Sequence, residues 1–225
     1  MPIDYNKNAD TPAPVSLSKV ILTKSAPTVS LTKAAAAKTG GLMRVNLNWT
    51  SGEAAPQSGG FFKKLMAVPT SSAIDLDLGC MYEFTDGKKG VVQALGNAFE
   101  AKPAAAASRL IWLDGDDRSG ENTGGENLFI DLAQWDLVKR VLVFAYIYEG
   151  TPNWATANAV VTIHAEPEVT VQLDETRPAR SCAIALLTNR GGAVDIRREV
   201  NYIDGSQSQI DAAYGWGMKW AAGHK

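Results

Sequence analysis

Residues 74–82 read Ile74-Asp-Leu-Asp-Leu-Gly-Cys-Met-Tyr82, and the reading of this run decides the fold. Ile74, Leu76, Leu78, Cys80 and Tyr82 recur at every second position, the period of a β-strand laid on a core. Asp75 and Asp77 then share the opposite face of that strand. Upstream, Val45, Leu47 and Trp49 alternate in the same way with Asn46 and Asn48. Both runs are expected to be half-buried strands.

Further strands are expected over 159–164, 169–173, 182–188 and 194–202. The last puts Val194, Ile196, Val200 and Tyr202 on one face and Asp195, Arg197, Glu199 and Asn201 on the other. Residues 141–148 are apolar on both faces, as in a central strand covered on both sides. Two similar pentapeptides, Val15-Ser-Leu-Ser-Lys19 and Val29-Ser-Leu-Thr-Lys33, alternate as short edge strands do. One helix of any length is expected, at 207–214, capped by Ser206 and with Ile210, Ala213 and Tyr214 on one side. The alanine runs 34–37 and 104–107 are short and flanked by Gly or Pro, and are read as loops or single turns. Many short strands with so little helical period predict an all-β protein, a two-sheet β-sandwich with a short C-terminal helix.

A chain of 225 residues suffices for one such domain, expected over 15–225. Residues 1–14 are polar with Pro12 and Pro14 and are read as a flexible N-terminal segment. They hold no apolar leader, and no membrane span is expected anywhere, so the protein is read as cytoplasmic. With 22 basic and 24 acidic residues the formal net charge is −2, which recruits neither nucleic acid nor an anionic membrane. Cys80 and Cys182 form no CxxC motif and are read as buried free thiols. The six tryptophans are assigned to core packing and helix docking, whereas Arg177, Arg180, Arg190, Arg197 and Arg198 fit an anion site on aligned strands and solvated strand edges equally well.

The densest chemistry lies in Leu113-Asp-Gly-Asp-Asp-Arg-Ser-Gly-Glu-Asn-Thr-Gly-Gly-Glu-Asn127, with five carboxylates, four glycines and Arg118 as its single base. Carboxylates crowded in this way repel one another unless they are protonated, paired or bridged by a cation. Glycines let a loop turn several oxygens inward, and an all-oxygen donor set suits Ca2+ first and Mg2+ second. Counting from Asp114 puts Ser119 where an EF-hand needs glycine and Gly125 where it needs glutamate, so a site here is of another kind. Asp75 and Asp77 are the candidates for the remaining ligands. The bland alternative is a solvated acidic turn beside an ordinary strand.

In order along the chain, the two Val-Ser-Leu-Ser/Thr-Lys segments, Asn48-Trp49, Ile74-Asp-Leu-Asp77 and Gly115-Asp-Asp-Arg-Ser-Gly-Glu121 resemble the motif series of the TerD-like family of tellurium-resistance and stress proteins. The resemblance implies a two-sheet sandwich that binds calcium, and a part in tellurite and general chemical-stress resistance. It assigns Asp75, Asp77, Asp116, Asp117 and Glu121 to the family's acidic motifs and Glu126 to the acidic stretch that follows them. That stretch carries fewer carboxylates here than is usual in the family, and Asp114 is the candidate to replace a missing ligand.

No enzyme site is expected. His164 lies within a strand, nothing activates Ser181, and the glycines of the acidic loop sit among charges that repel phosphate. The alternatives to a non-enzymatic calcium protein with unidentified protein partners are two. One is a calcium-dependent lectin-like module; the other is a glycoside hydrolase using two of Asp75, Asp77, Asp116 and Glu121 as acid and base.

Overall fold

The computed structural model describes residues 19–32, 41–50, 74–115, 124–150 and 152–221, and the alternating segments in it become strands of two sheets. One sheet has the order β1 (Lys19–Ile21), β11 (Glu168–Leu173), β10 (Ala159–His164), β3 (Leu42–Asn48), β8 (Glu126–Asp131), β7 (Ile111–Leu113) and β6 (Glu100–Ala101). The other has the order β2 (Thr28–Leu31), β13 (Ala193–Ile203), β12 (Ser181–Arg190), β9 (Val138–Glu149), β4 (Asp75–Phe84) and β5 (Lys89–Gln93). Every pairing is antiparallel except β1 with β11. A one-turn helix α1 (Trp154–Ala157) and the C-terminal helix α2 (Gln207–Tyr214) complete the all-β sandwich. Among the described residues no helix is long and apolar enough to cross a membrane.

The two pentapeptides part company. Thr28–Leu31 forms the edge of the six-stranded sheet, whereas Lys19, the end of the first pentapeptide, begins the edge of the seven-stranded one. Residues 1–18 and the alanine run 34–37 lie outside the described residues, and residues 104–107 form turns without a helix. Cys80 and Cys182 are free and fully buried, and that burial pushes both thiols far above the ordinary cysteine range. They are packing groups and not nucleophiles.

Between the sheets lies the main core, to which β4 contributes Leu76, Leu78, Cys80, Tyr82 and Phe84. The outer face of the six-stranded sheet carries a second core, in which Met81, Leu142, Phe144 and Ala183 meet Ile210 of α2 and Trp216 beyond it. The expected half-buried strand at 74–82 is therefore buried along its whole length. Gly79 is part of the reason: a Cβ there would stand 2.7 Å from the Phe144 ring, so only glycine lets that ring lie against the strand.

Helix α2 starts where Ser206 was expected to cap it, and Gln209 reaches back to accept a bond from Ser206 N at 2.9 Å. Its buried face differs from the one expected. Gln207, Ile210 and Asp211 are buried while Ala213 is exposed. The polar members of that face are there because Asp211 accepts bonds from Gly217 N (2.8 Å), Met218 N (2.9 Å) and Trp220 Nε1 (3.0 Å), which folds the final segment back on the helix. Strand β13 also departs from simple alternation. Asn201 pairs with Ala183 but Arg198 with Ala185, an extra residue that places Val200 at φ 41° in a bulge.

Glu83 ties the second core to the sheet. Its carboxylate accepts 2.7 Å bonds from Lys139 Nζ and Arg140 Nε, and the Arg140 guanidinium lies 3.7 Å from the Trp216 ring centroid. Burial alone would raise this carboxyl, but the two cationic donors outweigh it and hold it below the ordinary glutamate range. A depressed native value means stability that is complete above the unfolded-state value, about 4.3, and is lost as the pH falls through the native one. Glu83→Gln is thus expected to cost about 1.5–3 kcal/mol at pH 7, with the deficit shrinking below about pH 4, as denaturant unfolding across that range would record. A deficit that stays constant into acid would remove the charge from the explanation.

Candidate metal site

The acidic loop connects β7 to β8, and hydrogen bonds join the described residues at its two ends. Asp114, exposed just past β7, accepts from Asn127 N at 3.1 Å through one oxygen and from Asn127 Nδ2 at 2.8 Å through the other. Asp114 N donates in turn to Asn127 O at 3.1 Å. From β3, Asn46 Nδ2 donates to Gly124 O at 2.6 Å and to Asn127 Oδ1 at 2.9 Å. Gly125, at φ 60°, lies so close to the Leu47 carbonyl that any Cβ would collide with it. Two strands and one glycine thereby hold both ends of the loop at a single point.

Glu126, the first residue of β8, shares its face with Leu128 and Ile130, which point into the main core. A carboxylate there is 2% exposed, and its Oε2 accepts a 2.6 Å bond from Leu78 N on the opposite sheet. Pairing of β4 with β5 begins only at Gly79, so Glu126 takes the N–H just before it. Asp77 immediately precedes Leu78 and is fully buried, and Asp75 is 5% exposed. These two aspartates share the strand face opposite Leu76 and Leu78, as the alternation predicts.

Of the seven candidate ligands, the structure thus joins Asp114 and Glu126 at the loop neck and brings Glu126 to the backbone beside Asp77. Asp116, Asp117 and Glu121 lie outside the described residues. Among the described residues no three His, Cys, Asp or Glu side chains gather as a metal-binding group. Asp114 spends one lone pair of each oxygen on Asn127, so its observed work is to close the neck. Sequence reasoning passed over Asn46 and Asn127, which do the same work. Their signal was an asparagine on the polar face of β3 and one at the loop's exit, and only the cross-strand register of Asn46 with Asn127 joins them.

A sandwich whose acidic loop is pinned between β3, β7 and β8 against β4 defines a class that comparison with known proteins makes specific. No family model matches the chain. Over 235 aligned positions, 96% of this chain, it is 42% identical to the tellurium resistance protein TerA of an Alcaligenes species, and it spans 65% of that protein's length. The fold recurs in a homologue of the telluride resistance protein TerD from Streptomyces coelicolor A3(2), at a TM-score of 0.52 and 21% identity, covering 76% of this chain and 94% of that one. It recurs also in a crystal structure of a protein of unknown function, at a TM-score of 0.55 and 15% identity, covering 79% and 98%. The chain is thus similar in sequence to a tellurium resistance protein over most of its own length and shares its fold with a homologue of TerD.

Proposed function

We propose that this chain is a non-enzymatic, cytoplasmic calcium-binding protein of the tellurium-resistance type, in which the ion fastens the acidic loop 114–126 onto Asp75 and Asp77 and shapes a surface for protein partners. The observation that carries the reading is the 2.6 Å bond from Leu78 N to Glu126 Oε2, which ties the exit of the acidic loop to the backbone of the strand that carries Asp75 and Asp77. Burial supports it further. Asp77 is 0% and Asp75 5% exposed, and a divalent cation with oxygen ligands is a group that keeps enclosed carboxylates charged. Asp116, Asp117, Glu121 and Glu126 are the loop's proposed donors, with Asp75 and Asp77 from β4.

A hydrolase working through Asp75 or Asp77 is disfavoured by the same burial, since general acid–base chemistry requires each carboxyl within hydrogen-bonding reach of the substrate. The TerA relative is longer than this chain, so resistance itself is proposed as an activity to which this sandwich contributes through its partners.

An ion bound only by the native state raises stability by mass action, about 2.7 kcal/mol at a hundredfold excess over Kd. Asp75→Asn with Asp116→Asn is expected to abolish most of the calcium-dependent rise in melting temperature. The calcium-free melting temperature should stay equal or rise, because carboxylate repulsion is relieved. A double variant that keeps the full calcium response would sink the assignment of these ligands.

A further inference from the structure

The outer face of the six-stranded sheet is covered by α2 and Trp216. That of the seven-stranded sheet brings large apolar side chains to solvent instead. Alternation fixes which residues stand there: Met43, Val45, Leu128, Ile111 and Leu113 enter the main core, so Leu42, Arg44, Phe129 and Trp112 face outward. Leu42 is 37% exposed, and Trp112 and Phe129 are half-buried, their rings stacked at 5.4 Å between centroids. Apolar side chains grouped on a solvent face of a sheet mark a surface for contact.

Register sets four of the outward residues in one row across four strands. Glu100 on β6 pairs with Trp112 on β7, Trp112 with Phe129 on β8, and Phe129 with Arg44 on β3. The row therefore reads acid, ring, ring, base. Both of its charged ends are exposed. Arg44 forms no ion pair among the described residues, and its other neighbour in the row, His164, brings no negative charge. Glu100 has one contact, at 4.0 Å, with Arg109, whose guanidinium lies 4.3 Å from the Trp112 ring centroid. An exposed pair at that distance is weak and leaves the carboxylate open to a further cation.

Such a row is its own complement. A two-fold axis lying in the interface along the strands, between β7 and β8, sets Glu100 of one copy against Arg44 of the other at both rims. The same operation lays Trp112 against Phe129 of the other copy at the centre, the self-matching arrangement that an isologous contact requires. We propose that the chain pairs with a second copy of itself through this face. Four strands about 4.8 Å apart present roughly 400 Å² per copy, below the size of a standard interface, so the dimer is reversible with a Kd of about 10–100 µM. None of the proposed calcium ligands belongs to the row, and the pairing stands independently of the calcium reading.

The test is analytical ultracentrifugation of the full chain in chelator, over about 5–300 µM, with two charge reversals. The unaltered chain is expected to shift from one copy to two across that range. Arg44→Glu and Glu100→Arg each set like charges together at both rims, so each is expected to weaken self-association at least tenfold. An equimolar mixture of the two variants is expected to recover the dimer, because both rims then join opposite charges again. That recovery also shows that neither variant has lost its fold. A chain that stays single up to 300 µM, a dimer that both reversals leave unchanged, or a mixture that associates no better than either variant alone would each overturn the proposal. The first would assign the face to a partner other than this chain.

Discussion

Trp216→Ala is expected to lower the unfolding free energy by about 3–5 kcal/mol, the usual range for emptying a fully buried aromatic site. Trp216 is 1% exposed, donates through Nε1 to Tyr82 O at 3.0 Å and lies under the Arg140 guanidinium. Its loss removes packing from Met81 and Phe144, a donor from a buried carbonyl and a face from Arg140, which then holds Glu83 less firmly. Trp216→Phe keeps the ring and loses the indole donor, so it should cost about 1–3 kcal/mol. Denaturant unfolding of both variants checks the order. A loss below about 1 kcal/mol for alanine would mean that the outer core is peripheral and that α2 is a passenger on the sheet.

Gly125→Ala is expected to cost about 3 kcal/mol, combining a left-handed backbone with a Cβ forced against the Leu47 carbonyl. The damage should be local to the loop neck. Relief of the collision moves Gly125 away from β3, which pulls Gly124 O from Asn46 and shifts Glu126, the next residue, away from Leu78 N. Calcium affinity should therefore fall together with stability, in contrast to Trp216→Ala, where stability alone should fall. Unfolding and calcium titration on the two variants distinguish these outcomes. A Gly125→Ala protein with wild-type stability would show that the neck does not depend on this close approach.

Much of the fold was legible because its strands carry period-two patterns strong enough to survive without tertiary context. Residues 141–148 read as a central strand and lie between β12 and β4, and the helix at 207–214 begins directly after Ser206, the expected cap. What escaped was set by partners and not by pattern. Strands β6 and β7 have two and three residues, too few to show any period, and exist because β8 pairs with β7 and β7 in turn with β6. The buried face of α2 was misread at Ala213 because apolarity was taken as the guide, whereas Asp211 and Gln207 occupy it as polar residues. In the candidate site, the acidic residues were conspicuous by composition. The asparagines that close the loop were not, since a lone asparagine carries no periodic signature until register brings Asn46 opposite Asn127.

The central claim is that the acidic loop and β4 together bind calcium, and calorimetric titration of chelator-treated protein tests it most directly. Calcium is predicted to bind saturably and more tightly than magnesium, because flexible carboxylate-rich sites accommodate the larger ion more readily. The same titration of Asp75→Asn with Asp116→Asn should lose most of that heat. Absence of calcium binding by the unaltered chain, with no accompanying shift in melting temperature, would contradict the account and leave the buried carboxylates of β4 and β8 to a purely structural role.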